Sequence, residues 1–215
     1  MKLVIGNKNY SSWSLRPWIA MKQIGLTFDE AVIPMAMPST KAEMLKYAPT
    51  GLVPVLIDGE ALVFETIAIL EYLNDKYPEA HLWPKDLAAR AHARSIAAEM
   101  HGGFAALRRD CPMNIRRPVR KHIVSPEAAK QAERIDALWS DARTRFGQGG
   151  PFLFGHFTNA DAMYAPVINR FHTYDLPRSK TSQAYMDAMM ALPAWKEWEA
   201  ASRAESWVIA SSEVG

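Results

Sequence analysis

The chain is expected to fold as a small α/β domain followed by an all-helical one. Three features of its 215 residues carry that expectation. Short β-like runs alternate with helical stretches up to residue 80. An Asp58-Gly59 pair joins two apolar runs, the pattern of a hairpin. Beyond residue 86 the apolar positions recur at helical spacing. The boundaries read 1–80 for the first domain, 81–86 for a linker and 87–215 for the second.

Each element follows in order. Lys2 to Ile5 reads as a strand and Asn7 to Ser12 as a polar loop. Trp13 to Ile24 reads as a helix, with Gly25 placed to end it and Pro17 acceptable only within its first turn. Phe28 to Ile33 is a second strand and Thr40 to Tyr47 a short helix. Val53 to Ile57 and Leu62 to Phe64 form the hairpin, and Thr66 to Lys76 is the helix after it. Strand–helix–strand order implies parallel pairing first, with the antiparallel strands last. Tyr77 to Asp86, with Pro78 and Pro84, connects to helices at Leu87 to Asp110, Pro126 to Phe146, Thr158 to His172 and Thr181 to Leu192.

Composition narrows the function. Hydrophobic residues at 49% with 22% charged exclude a disordered chain. Twenty-five basic against 23 acidic groups give +2, too little to draw in nucleic acid or an anionic membrane. No stretch approaches the 18 or so apolar residues of a membrane span, and the apolar run at Leu3 to Ile5 stops too early for a signal peptide. The single cysteine, Cys111, rules out an internal disulfide and a Cys-rich zinc site. A soluble, cytoplasmic protein is the expectation. The histidines show no metal-ligand spacing, Gly147 to Gly150 lacks the form of a phosphate loop, and Met35, Met37, Met44 and Met163 read as core filler.

Three short runs carry chemistry. Pro54 costs a ladder hydrogen bond, so either Val53–Pro54 is a cis bond that frees Val53 for a ligand, or the strand is an edge that begins with proline. Glu65-Thr66 opens a helix whose first amides suit a carboxylate while Glu65 suits an amine; the plainer reading is a cap beside an exposed glutamate. Ser11, Ser12 and Ser14 lead into the first helix, where hydroxyls and the helix dipole stabilise an anion or merely cap.

Together, Gly51-Leu52-Val53-Pro54-Val55-Leu56 and Glu65-Thr66-Ile67-Ala68-Ile69-Leu70-Glu71-Tyr72-Leu73 resemble the cytosolic glutathione transferases. The likeness spans the chain: Tyr77 to Asp86 is similar to the family's interdomain linker, and Phe157-Thr158-Asn159-Ala160-Asp161 to the capping motif of its buried central helix. It implies a thioredoxin-like first domain, a helical-bundle second domain, a homodimer, and glutathione as co-substrate with no metal. It also implies detoxification by attack of the glutathione thiolate on a small hydrophobic electrophile. Glutathione would be held by Val53, Pro54, Glu65, Thr66 and Lys41, the last because Leu52 stands where many relatives carry a donor for the glycyl carboxylate. Ser11 by the zeta-class motif, or Ser12 by theta and delta spacing, would stabilise the thiolate. Trp13, His101, Phe104 and Arg108 would line the electrophile pocket. Trp13 replaces the cysteine of the zeta motif, which argues against maleylacetoacetate isomerase chemistry. A glutathione-dependent isomerase, dehalogenase or peroxidase, or a non-catalytic binding protein, are the rivals. The basic cluster from Arg108 to Lys121 reads first as a solvated loop face and Cys111 as an inert buried thiol.

Overall fold

The computed structural model describes residues 1–214. Four strands form one sheet in the order β2-β1-β3-β4. The strands are β1 (Lys2–Gly6), β2 (Asp29–Ile33), β3 (Val55–Asp58) and β4 (Ala61–Phe64). β1 runs parallel to β2 and antiparallel to β3, and β3 is antiparallel to β4. The hairpin turn falls one residue later than its Asp-Gly pair suggests. Asp58 pairs with Ala61, and Gly59, at φ 60°, takes the first central position, where only glycine accepts a positive φ without strain.

Three helices pack in this domain: α1 (Ser12–Gln23), α2 (Thr40–Leu45) and α3 (Thr66–Lys76). α1 ends as expected. Gly25 at φ 75° lets its own amide reach Lys22 O at 3.0 Å and the Leu26 amide reach Met21 O at 3.0 Å, closing a Schellman motif. Pro17 departs from expectation. It is the sixth residue of α1, well beyond the first turn, and its ring leaves the carbonyl of Trp13 without the usual i−4 donor.

The second domain holds α4 (Leu87–Gly102), α5 (Ala105–Asp110), α6 (Pro126–Phe146), α7 (Asn159–Thr173), α8 (Lys180–Met190) and α9 (Pro193–Ala204). The single helix expected over 87–110 is broken in two. Gly103 leaves the helical region and Phe104 turns left-handed at φ 58°, a break that two adjacent glycines make cheap because neither favours a helix interior. α9 is an element the sequence reading passed over. Its signals are Pro193 at the first helical position and Trp195 and Trp198 buried three residues apart.

α7 is the central pillar, buried along its length except at His172. Its capping box forms. The Asp161 carboxylate accepts from Thr158 N at 2.7 Å and Thr158 Oγ at 2.9 Å, and its other oxygen takes the Leu153 amide at 3.0 Å. One apolar core runs through both domains, joining Leu3, Ile5 and Trp18 to Trp139, Tyr164 and Trp198. Met37, expected inside, is 48% exposed. No helix among the described residues is long and apolar enough to cross a membrane.

Candidate active site

The site is built where the hairpin ends. Val55 pairs with Phe64 as the last rung of the ladder, and just beyond it Val53 and Pro54 line one cavity with Glu65 and Thr66. Val53–Pro54 is cis, and β3 begins only at Val55, so the proline sits ahead of the strand and not within it. Glu65, in the same cavity lining, is the N-cap of α3 with φ 71° and ψ 127°. A non-glycine residue held there stores roughly 1–3 kcal/mol of strain, the kind that surrounding structure tolerates at sites where position matters. No side chain caps α3, so the first amides of this helix remain open as donors for an anion.

Thr66, expected as the cap, is instead the first residue of α3, and its hydroxyl is turned to α1. It donates to Trp13 O at 3.0 Å, the carbonyl that Pro17 leaves unpaired. Trp13, Thr50, Leu52, Val53, Pro54, Phe64, Glu65 and Thr66 enclose a cavity of about 170 Å³. That is below the ~300–1,000 Å³ of a site enclosing a whole drug-sized ligand, so it suits one end of an extended molecule. Thr50 and Phe64 were not singled out from sequence; their places beside the Gly51 turn and at the end of β4 were the available signals. Lys41 is not part of that lining; its ammonium donates to the carbonyls of Thr50, a lining residue, at 2.8 Å and Gly51 at 3.4 Å. Leu52 beside it is 58% exposed and offers no polar group. A roomier cleft of about 500 Å³ against the linker, among His81, Lys85, Phe146 and His156, shares no residue with this site.

The serines divide. Ser14 is fully buried, and its oxygen accepts from Gly6 N at 3.1 Å and from the Ser11 hydroxyl at 2.7 Å. Ser11 is itself 5% exposed, with its proton committed inward. Ser12 is half-buried at the first position of α1.

Trp13 gathers charge around its ring. Arg16 stacks on it at 4.0 Å, Arg108 lies 5.2 Å away, and His101 meets it edge-on at 5.3 Å. Arg16 is fully buried; its Nε donates to Met163 O at 2.9 Å, and among the described residues both terminal nitrogens lack a hydrogen-bond partner. Burial, then repulsion from Arg170 and Arg108, pulls its pKa well down. Arg170, whose Nε donates to Cys111 O at 2.8 Å, is lowered by burial to about 10. Among the described residues none of these three arginines forms a salt bridge, so the region behind Trp13 carries unbalanced positive charge. Phe104 packs in the core, 7% exposed. Cys111 is buried, and burial pushes its thiol up to about 12. Among the described residues no cluster of three or more His, Cys, Asp or Glu side chains is arranged to hold a metal.

A mixed four-stranded sheet domain with its helices, followed by an all-helical bundle, defines a two-domain class whose first domain is thioredoxin-like. The comparisons narrow this. The chain matches the family models for "Glutathione S-transferase, N-terminal domain" over residues 10–76 and "Glutathione S-transferase, C-terminal domain" over 89–201. It is 35% identical over 199 residues to glutathione S-transferase Z2 of Arabidopsis thaliana, covering 88% of each. It is 29% identical over 96 residues to the probable maleylacetoacetate isomerase of Caenorhabditis elegans; that match spans 44% of the relative's length. Among solved structures, a glutathione transferase homologue from Burkholderia, with bound glutathione, superposes with a TM-score of 0.70 at 22% identity, covering 94% of this chain and 97% of the other. The chain belongs to the glutathione S-transferase family, and its fold is that of the family.

Proposed function

We propose that this protein is a glutathione transferase that uses Ser12 to stabilise the thiolate and joins it to a small electrophile bound beside Trp13. One observation carries the reading: the uncapped start of α3, with Glu65 at its lip, lines one cavity with Val53 and Pro54. The γ-glutamyl end of glutathione has a carboxylate for those amides and an amine for Glu65. The cysteinyl backbone adds to Val53 as a short strand, and Lys41, bonded to Thr50 O, supplies a cation for the glycyl carboxylate.

A free thiol ionises near pKa 8.5, so only a few per cent is thiolate at neutral pH. A hydroxyl donor at a helix N-terminus needs to lower this by about two units, roughly 2.7 kcal/mol, to make thiolate the main form. Ser12 serves better than Ser11, whose proton is held by Ser14. The sulfur lone pair then forms the bond to carbon and the leaving group departs with its electrons. Arg108 and His101 at the ring of Trp13 favour an electrophile with an aromatic or apolar body and an anionic substituent. A cytoplasmic homodimer acting in detoxification completes the reading, in keeping with the family.

The test is calorimetric titration with glutathione, wild type against Glu65→Ala. Binding in the micromolar to low millimolar range, lost in the variant, supports the site. Failure of the wild type to bind overturns it. A screen of chloronitrobenzene and haloacid electrophiles then reads the second substrate, and release of unconsumed glutathione would mark an isomerase in place of a conjugating enzyme.

A further inference from the structure

Residues 7–11 lie between the end of β1 and the start of α1, outside both ladders, so some of their backbone groups must find partners elsewhere. Those partners come from the far side of the sequence. The amides of Lys8 and Asn9 donate to the two carboxylate oxygens of Glu205, at 2.6 and 3.0 Å. Asn9 Oδ1 accepts from the Arg116 amide at 2.9 Å, and Asn9 Nδ2 donates to Asn114 Oδ1 at 3.0 Å. The Tyr10 hydroxyl donates to the Glu213 carboxylate and accepts from the Arg116 guanidinium at 2.9 Å. That guanidinium also donates to the carbonyls of Glu205 and Trp207. Arg117 Nε reaches Val214 O at 3.0 Å. The basic run that reads as a solvated face is therefore partly buried, with Arg117 8% exposed. Its charge is used to fasten residues 205–214 against the loop that delivers Ser11 and Ser12.

We propose that the 205–214 segment, through Glu205 and the Glu213–Tyr10–Arg116 chain, positions the serine-bearing start of α1 and thereby sets how readily the bound thiol ionises. Glu205, Arg116 and Tyr10 are positioning residues: each acts through the loop. The peptide-anchoring half of the site meets the segment only indirectly, through the Thr66–Trp13 bond: among the described residues the long-range hydrogen bonds of the segment go to residues 7–10 and 114–117 and not to Val53, Glu65 or Thr66. Loosening the segment should leave glutathione affinity intact and impair the chemical step, because misplacing a reacting group by about 1 Å costs on the order of 100-fold. The proposal rests on the reading of Ser12 as thiol donor.

The experiment measures thiolate absorbance of bound glutathione against pH, together with kcat, KM and calorimetric Kd. It uses wild type, Glu205→Gln, Tyr10→Phe and Ser12→Ala. Glu205→Gln removes one of two acceptors and Tyr10→Phe only a hydroxyl; circular dichroism confirms folding, and Tyr10→Phe alone decides if the other fails to fold. The expected result is a thiol pKa raised by about one unit, roughly a 10-fold loss in kcat and a glutathione Kd within about twofold of wild type. If Ser12→Ala raises the thiol pKa while the two segment variants leave it unchanged, the positioning role is wrong and the serine reading stands. If Ser12→Ala leaves it unchanged, both fall.

Discussion

Thr66 donates its hydroxyl to the carbonyl of Trp13, 3.0 Å away, and that carbonyl is available because Pro17 has no amide hydrogen to offer it. A proline deep in a helix ordinarily leaves a costly gap. Here the gap joins the helix that carries the serines to the uncapped start of α3. The same bond fixes Thr66 side-on, leaving its amide at the uncapped end of α3.

Removing that hydroxyl should be felt in stability as well as binding. Thr66→Val strands a buried acceptor and is expected to cost about 1–3 kcal/mol in denaturant unfolding, with a raised KM for glutathione. Thr66→Ser, which keeps the donor, should lose less than about 1 kcal/mol. Equal losses in the two variants would deny the bond its role.

Glu65 makes the opposite trade. Its positive φ suits glycine. Glu65→Gly should therefore be about 1–2 kcal/mol more stable than Glu65→Ala while binding glutathione no better. Chemical denaturation of the two variants side by side gives the difference directly.

The serine pair separates by function. Ser12→Ala should lower kcat/KM by about 100-fold, in line with losing one donor to a developing anion. Ser11→Ala breaks the bond to buried Ser14 and should instead lose about 1 kcal/mol of stability. The reverse pattern would reassign the donor to Ser11.

Acidity should weaken the second domain through His92. Burial first, and then Arg145, holds its imidazole below the usual 6.5. The unfolded chain then takes up a proton that the folded state resists, so stability declines as pH falls below about 6.5 toward the lower folded value. His92→Gln should flatten the dependence of unfolding free energy between about pH 7 and 5. An unchanged slope would place its origin elsewhere.

Cys111 should stay silent. With its thiol raised to about 12, native protein should consume no thiol reagent, whereas denatured protein should consume one equivalent per chain. Conjugation by Cys111→Ala should remain within about twofold of wild type, as expected of a buried structural thiol.

Much of this was legible from local sequence. The Thr158–Asp161 box, the Gly25 helix end and the Asp-Gly hairpin are written within a few residues of one another, and each formed with small shifts in boundary. Glu65, Thr66, Val53 and Pro54 carried a paired signal, and the four line one cavity. Other features were not legible because their partners are remote. Nothing near Pro17 announces that Thr66 will answer its missing donor, and nothing near Arg116 announces Tyr10 and Glu205. Phe104 stands in the core, 7% exposed, and the helix break at its side was not read from Gly102-Gly103 because two glycines can also sit within a helix at a modest cost.

The bonds from Glu205 to Lys8 and Asn9 join residues 197 and 196 positions apart. Contacts of such long range are made late, once shorter-range structure has brought the segments close, because closing so wide a loop earlier is entropically unfavourable. The serine loop should thus mature only as α9 docks, since Glu205 is the C-cap of that helix. During refolding, native helical content should be regained before activity, with the interval between them set by the time this segment takes to find its place.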